Sequence, residues 1–179
     1  MQLALFLRRH RRTIGIPLVL AALILTRYNS RFLIPSLVLV TIGELIRIWA
    51  AGHLQKEKIL TTGGPYRFIR NPLYLGSFLI AIGFGLISGS IWVWTLIIAY
   101  FVLVYIPVIR YEETILREKF SEYPAYAAKV PAFYLTIFPY STSTTHFSLE
   151  QAWRNREYNA VLGIIVVYII LVFVSSQFS

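Results

Sequence analysis

IWVWTLIIAYFVLVYIPVI, residues 91–109, carries no charged side chain, and its tryptophans and tyrosines lie among branched apolar residues. Nineteen residues at 1.5 Å each make a helix of about 28 Å, close to the hydrocarbon thickness of a bilayer. Upstream, only Ser88, Gly89 and Ser90 separate this run from a second one, Leu73–Ser88, so the two predict a tight antiparallel hairpin. Leu33–Ala51 is a further run, interrupted by Glu44 and Arg47, and residues 159–176 are the clearest of all. Residues 13–26 complete the set. At about 21 Å they are short for a crossing and need neighbouring apolar residues or snorkelling arginines. The expectation is an all-α, integral membrane bundle of about five transmembrane helices, a single domain over 1–179.

Composition agrees. The chain is 57% apolar and 14% charged, with mean hydropathy +0.64, where soluble domains run to about a quarter charged. Cysteine and aspartate are absent and the three histidines are scattered. Disulfides, thiolate chemistry and a local metal motif are therefore not expected, and His10, His53 and His146 read as surface groups. The first apolar run lacks a small-residue cleavage site, so no cleavable signal peptide is expected. Nothing in the sequence sets an oligomeric state.

The net charge of +9 could suggest nucleic acid, but its distribution points to topology instead. With the N-terminus in the cytoplasm and five crossings, fourteen basic residues fall inside: Arg8, Arg9, Arg11, Arg12, Lys56, Lys58, Arg67, Arg70, Arg110, Arg117, Lys119, Lys129, Arg154 and Arg156. Arg27 and Arg31 fall outside. This is the positive-inside asymmetry of a multi-pass protein, with its C-terminus on the opposite side. No nucleic-acid partner is expected. The same topology sends the polar loop 52–72 and the polar segment 110–158 to the cytoplasmic face.

Both segments hold more chemistry than connectors need. TTGGPYRFIRNPLYLG (61–76) combines turn residues with arginines, tyrosines and Asn71. Pro72 suits the first turn of a helix and Asn71 its N-cap, where free amides and the nearby Arg67 and Arg70 suit an anion. A turn with positive-inside arginines and interfacial tyrosines would have the same composition. In YEETILREKFSEYPAYAAKVPAF (111–133), Glu112 and Glu113 sit at a membrane edge, where a carboxylate is costly unless paired or solvated. The plain alternative is an amphipathic interfacial helix with pairs such as Glu113–Arg117. Glu44 and Arg47, three apart inside a span, can pair. Ser77, Ala81, Gly85 and Gly89 form a small-residue ladder for close helix packing, and WRNREYN (153–159) resembles ordinary interfacial anchoring.

GPYRFIRNPLYLG (64–76) resembles the G-P-Y-x-x-x-R-H-P-x-Y-x-G signature of the isoprenylcysteine carboxyl methyltransferase and phospholipid methyltransferase family. EETILREKFSEYPAYAAKVPAF (112–133) is similar to that family's second block, in the same order. Three positions depart: Asn71 replaces the usual histidine, Phe120–Tyr123 is one residue short, and Ala132 stands where a basic residue is common.

The resemblance implies an S-adenosylmethionine-dependent methyltransferase with cytoplasmic cofactor-binding loops and a lipid-like or prenylated acceptor entering from the membrane lipids. Glu112 and Glu113 would hold the cofactor's ammonium and ribose. Arg70 and the helix start Asn71–Pro72–Leu73 would hold its carboxylate. Tyr66 and Tyr74 would pack on the adenine or sulfonium, and Gly76 belongs to the same set. For an isoprenylcysteine-type carboxylate, Lys129, Arg154 or Arg156 would orient the acceptor. For a phosphatidylethanolamine-type amine, Glu113 or Glu44 would be the base. A nicotinamide-dependent membrane reductase and a non-enzymatic scaffold or small transporter are the readings from other classes.

Overall fold

In the computed structural model, which describes residues 2–55, 59–140 and 145–177, every regular element is helical. The apolar runs become helices, with glycines and prolines in their interiors that the helices accommodate. The helices are α1 (Gln2–Leu25), α2 (Leu33–His53), α3 (Pro72–Ser88), α4 (Ile91–Tyr100), α5 (Ile106–Lys119), α6 (Tyr123–Lys129), α7 (Leu149–Arg154) and α8 (Tyr158–Gln177), the two short polar ones, α6 and α7, following α5. Lys56 and Lys58, counted above among the inner charges, lie outside the described residues, as do the side chains of Arg11 and Arg12.

Two stretches among the described residues are long and apolar enough to cross a membrane: Ser30–His53, where a 3-10 turn leads into α2, and Ile91–Lys119. Thr13–Leu25, Pro72–Ser88 and Tyr158–Leu171 are shorter apolar helices. All five apolar runs are thus helical, and two of them reach spanning length on their own. Large apolar side chains such as Ile24, Ile34, Leu103 and Ile169 are exposed on these helices, as side chains against lipid would be.

The glutamate segment divides in two: its first half continues the apolar run as one 29-residue helix, Ile91–Lys119. Pro107 has no N–H and would crowd the preceding turn of a regular α-helix. The wider turn of a π-helix at Phe101–Tyr105 absorbs that defect, with Ile106 N–H bonding Phe101 O, five residues back. Only α6 is a separate short helix, and its Tyr123 and Tyr126 are buried.

The 88–90 hairpin forms as expected, with Gly89 at φ +58 in the left-handed region that glycine tolerates. The α1–α2 turn lies against it: Arg27 N–H bonds Ser88 O at 2.7 Å and Asn29 N–H bonds Ile87 O at 2.9 Å. Loop 59–71, the end of α5, α6 and α7 gather at the opposite end of the bundle. Asn155 Nδ2 donates to Ala51 O (2.8 Å) and Leu54 O (2.9 Å), fastening the α7–α8 junction to the end of α2.

α2 and α3 pack most closely of all. A Cβ on Gly43 would lie 2.6 Å from Gly76 O, and one on Gly83 would lie 2.6 Å from Val40 Cγ2. The seam therefore runs through Gly76, Ile80 and Gly83. The expected ladder also serves close helix packing: Ser77 bonds Arg47 of α2, and Gly85 backs onto Trp94 of α4. Between apolar helices in lipid, such close backbone approach supplies the dispersion contact that a hydrophobic drive cannot.

Candidate functional site

The two motifs meet. Gly63 and Gly64 break the chain after α2, and Gly64 takes φ +56 where a Cβ would strike the His53 ring at 2.6 Å. His53 is thus buried beneath the loop, its Nδ1 3.0 Å from Trp49 O, and is not the surface group expected of it. Beyond a 3-10 turn at Gly64–Arg67, the loop is pinned to the segment after α6. Arg70 N–H bonds Pro131 O (2.9 Å), Thr136 N–H bonds Phe68 O (2.9 Å), and Tyr126 Oη donates to Tyr66 O (2.7 Å).

Asn71 is the N-cap residue of α3, but its side chain makes no cap bond. Its Nδ2 instead reaches Glu113 Oε1 and Ala132 O, each at 3.4 Å. Arg70 Nη1 lies 3.2 Å from the same Glu113 oxygen and 3.3 Å from Tyr123 Oη. Tyr74 Oη donates to Glu112 Oε2 at 2.9 Å, and Arg8 of α1 stands 3.8 Å from Glu112 Oε1. Pro72 has no N–H, and the Tyr74 and Leu75 amides turn back to Asn71 O. The helix start at Asn71–Leu73 therefore aims fewer amides at an anion than the sequence suggests. The expected Glu113–Arg117 pair gives way to Arg70, and Arg117 lies over the Tyr123 ring, 5.7 Å from its centroid.

Burial pushes the Tyr66, Tyr123 and Tyr126 hydroxyls above the ordinary phenol range. Neighbouring tyrosines and Glu113 add to the rise at Tyr126, whereas Arg70 opposes it at Tyr123 and Tyr126. All three stay neutral and act as hydrogen-bonding walls.

The remaining expected residues lie elsewhere. Gly76 is in the α2–α3 seam. Lys129 Nζ lies 5.9 Å from the Tyr140 ring centroid. Arg154 pairs with Glu150 at 2.6 Å on an exposed face of α7. Arg156 is exposed and takes φ +60, so its backbone makes the turn from α7 to α8.

That turn delivers Glu157, which sequence reasoning passed over, to the interior. Glu157 is buried, and its Oε1 lies 2.5 Å from Arg47 Nη2. Arg47 also donates to Ser77 Oγ from Nη1 at 2.5 Å, and its Nε stands 3.6 Å from Glu44 Oε2. The expected Glu44–Arg47 pairing is present but long, because Glu157 and Ser77 take the better-aligned ends of the guanidinium. A carboxylate directly ahead of the last apolar run was the available signal for Glu157.

Two polar clusters thus flank the first turns of α3. One balances Glu112 and Glu113 against Arg8 and Arg70; the other sets Glu44 and Glu157 against Arg47. Among the described residues, no three metal-ligating side chains converge.

An all-helical, membrane-associated protein with its polar residues clustered at one end of the bundle is the class these features define. A family model described as phospholipid methyltransferase matches residues 12–123, which take in both glutamates and the whole 64–76 motif. The chain belongs to the phospholipid methyltransferase family, a family of membrane methyltransferases. It is 33% identical over 161 residues to the cobalt-zinc-cadmium resistance protein CzcN of Cupriavidus metallidurans, covering 82% of this chain and 74% of that one. To the nickel-cobalt-cadmium resistance protein NccN of Alcaligenes xylosoxydans xylosoxydans it is 32% identical over 153 residues, covering 79% and 72%. No solved structure matches.

Proposed function

We propose that the protein is an S-adenosylmethionine-dependent methyltransferase that acts on a lipid-like acceptor reaching it sideways from the bilayer. The observation that carries this is the meeting of the two motifs: Arg70 and Asn71 converge on one Glu113 oxygen within 3.4 Å, while Tyr74 holds Glu112.

The residues suit the cofactor. Arg70 Nε is buried with no hydrogen-bond partner, a donor left over for the cofactor's carboxylate. Glu112 and Glu113 suit an ammonium, a sulfonium or ribose hydroxyls, and Tyr66 and Tyr74 offer rings to a cation. When bound, S-adenosylmethionine supplies a methyl group on a sulfonium, open to in-line displacement. The chain's own part is positional. Arg70 and the glutamates fix orientation, and the buried tyrosines keep water from the donor.

In this reading the helices cross the bilayer five times, with the N-terminus and the polar end in the cytoplasm and the C-terminus opposite. The apolar side chains exposed on all five helices support it. By resemblance the acceptor is the carboxylate of an isoprenylcysteine-type molecule, with a phosphatidylethanolamine-type amine as the alternative. A part in metal resistance, for which the two relatives are named, would then come through altering a membrane lipid.

Calorimetry with S-adenosylmethionine on the purified chain tests the reading. Micromolar binding that weakens about tenfold or more in Glu113→Gln is expected, since losing one partner of a charged contact costs at least that much. Folded wild type that binds none of it would overturn the proposal.

A further inference from the structure

Beyond α6 the chain makes a loop whose two ends are fastened while its middle turns its apolar side chains outward. Val130 is buried with Tyr123 and Tyr126, and Tyr140 packs on Tyr126 with ring centroids 5.2 Å apart. Between these anchors the backbone runs along the strip that precedes α3. Arg70 N–H bonds Pro131 O and Thr136 N–H bonds Phe68 O, both at 2.9 Å, and Tyr140 N–H bonds Arg67 O at 3.0 Å. Thr136 Oγ1 accepts from Phe138 N–H at 3.1 Å, so the polar side chain at the loop's middle is satisfied within it. Phe133, Tyr134, Leu135, Ile137 and Phe138 are each more than half exposed, and Ile137 is 84% exposed.

A surface loop ordinarily closes over its own apolar side chains, and a contiguous apolar patch left outside marks a surface that something else covers. Position, charge and chemistry together name the cover as lipid. The backbone bonds go to Arg67, Phe68 and Arg70, just ahead of Pro72, so the loop sits at the level where apolar α3 begins. No Asp, Glu, Lys or Arg falls between Lys129 and Glu150. The charges at the loop's ends are basic and both meet Tyr140: Arg67 Nε donates to its carbonyl oxygen at 2.9 Å, and Lys129 Nζ lies 5.9 Å from its ring centroid. Cations beside an apolar tip complement lipid phosphates above acyl chains. A protein partner would be held by about one hydrogen bond per 100–200 Å², yet among the five outward side chains the Tyr134 hydroxyl alone can make one. The loop also lies beyond residues 12–123, the part that the family model matches.

We propose that residues 133–138 form a membrane-inserting loop that seats its apolar side chains at the headgroup–acyl boundary of the bilayer and leaves Arg67 and Lys129 among the lipid phosphates. The bonds to residues 67–70 keep those backbone groups from meeting lipid unpaired. They also flank Arg70, so insertion sets the height of Arg70 and Asn71 relative to the acyl chains. The depth assigned to the loop rests on the reading in which α3 crosses the bilayer; its apolar exposure does not.

The chain has no cysteine, so a single introduced one carries a nitroxide label at a known place. Ile137→Cys and Tyr134→Cys are labelled in nanodiscs of phosphatidylcholine and phosphatidylglycerol. Phe78→Cys on α3 and Glu118→Cys at the end of α5, both exposed positions, are measured beside them. Power-saturation electron paramagnetic resonance with oxygen and with a water-soluble nickel chelate reports whether each label meets lipid or water. The oxygen-to-chelate ratio at 134 and 137 is expected to exceed that at 118 several-fold and to place the labels about 5–10 Å into the headgroup–acyl boundary. Both loop positions are exposed, so if one label disturbs the fold the other still decides. Loop labels as open to the chelate as the one at 118 overturn the proposal. Labels shielded from both reagents overturn it too, since protein, a second copy included, would then cover the loop. A lipid-facing label at 78 with water-facing labels at 134 and 137 removes the loop's insertion alone, and the reverse removes only the crossing of α3.

Discussion

Arg70 Nη1 lies 3.2 Å from Glu113 Oε1, and 14% and 18% of the two side chains remain exposed. The pair joins the loop before α3 to the end of α5, beside the weaker Asn71–Glu113 contact and the Tyr74–Glu112 hydrogen bond. Breaking one half leaves a half-desolvated charge. Arg70→Ala is expected to cost about 3 kcal/mol, and the Arg70→Ala/Glu113→Ala double variant to cost less than the sum of the two single ones. Thermal unfolding of all four proteins in one detergent gives the coupling. Strict additivity would show that the pair joins nothing.

Gly76 sits where a Cβ would fall 2.5 Å from both Gly43 O and Arg47 Cγ. Gly76→Ala must push α3 off α2 and disturb the Arg47–Ser77 bond. A loss of about 2 kcal/mol is expected, whereas Gly163→Ala on α8, with nothing within 4 Å, should be neutral or slightly stabilising. Equal Tm values for the two variants would remove the seam as a packing constraint.

Arg156 holds φ +60, a conformation that costs an L-residue about 1 kcal/mol. Arg156→Gly is therefore expected to raise stability or leave it unchanged, and Arg156→Ile to lower it by about 1 kcal/mol. The same unfolding measurement decides. A large loss in Arg156→Gly would mean that the side chain, rather than the backbone turn, holds the α7–α8 junction.

Tyr66, Tyr123 and Tyr126 are buried as neutral phenols with raised pKa. Unfolded tyrosine titrates near pH 10, below the range in which these buried hydroxyls ionise. Above that pH the unfolded chain binds fewer protons than the folded one. The stability tied to these groups is complete below about pH 10 and is lost as pH rises through their folded values. An alkaline titration of phenolate absorbance should show at least three of the twelve tyrosines ionising only as near-ultraviolet circular dichroism collapses. All twelve titrating with the dichroism intact would contradict the burial.

Much of this was legible from residue order. Helix positions follow from apolar run length, the 88–90 hairpin from Ser88-Gly89-Ser90, and the break before α3 from Gly63-Gly64-Pro65 and Pro72. The kinship of the two motifs was legible too, because each is a local string. The π-helical turn was not, although Pro107 marks its cause: a sequence shows that a hydrogen bond is lost but not how neighbouring turns widen to absorb it. Gly76 read as part of a ligand loop for the same reason, since only the approach of α2 shows what its missing Cβ makes room for.

The sequence by itself determined that this is a helical chain built for a membrane, with its polar groups at one end and two blocks of a methyltransferase family in order. Run length, charge and turn chemistry act over a few residues, so they survive reading in one dimension. Tertiary structure alone decided the partners: Glu113 takes Arg70 rather than Arg117, Glu157 turns inward to Arg47, and Glu44 is left with only a long contact to Arg47. Those outcomes depend on which charges meet out of water. Glu44, Glu113 and Glu157 share the edges of two largely buried guanidinium groups, Arg47 and Arg70, and that sharing is settled only when the helices have packed.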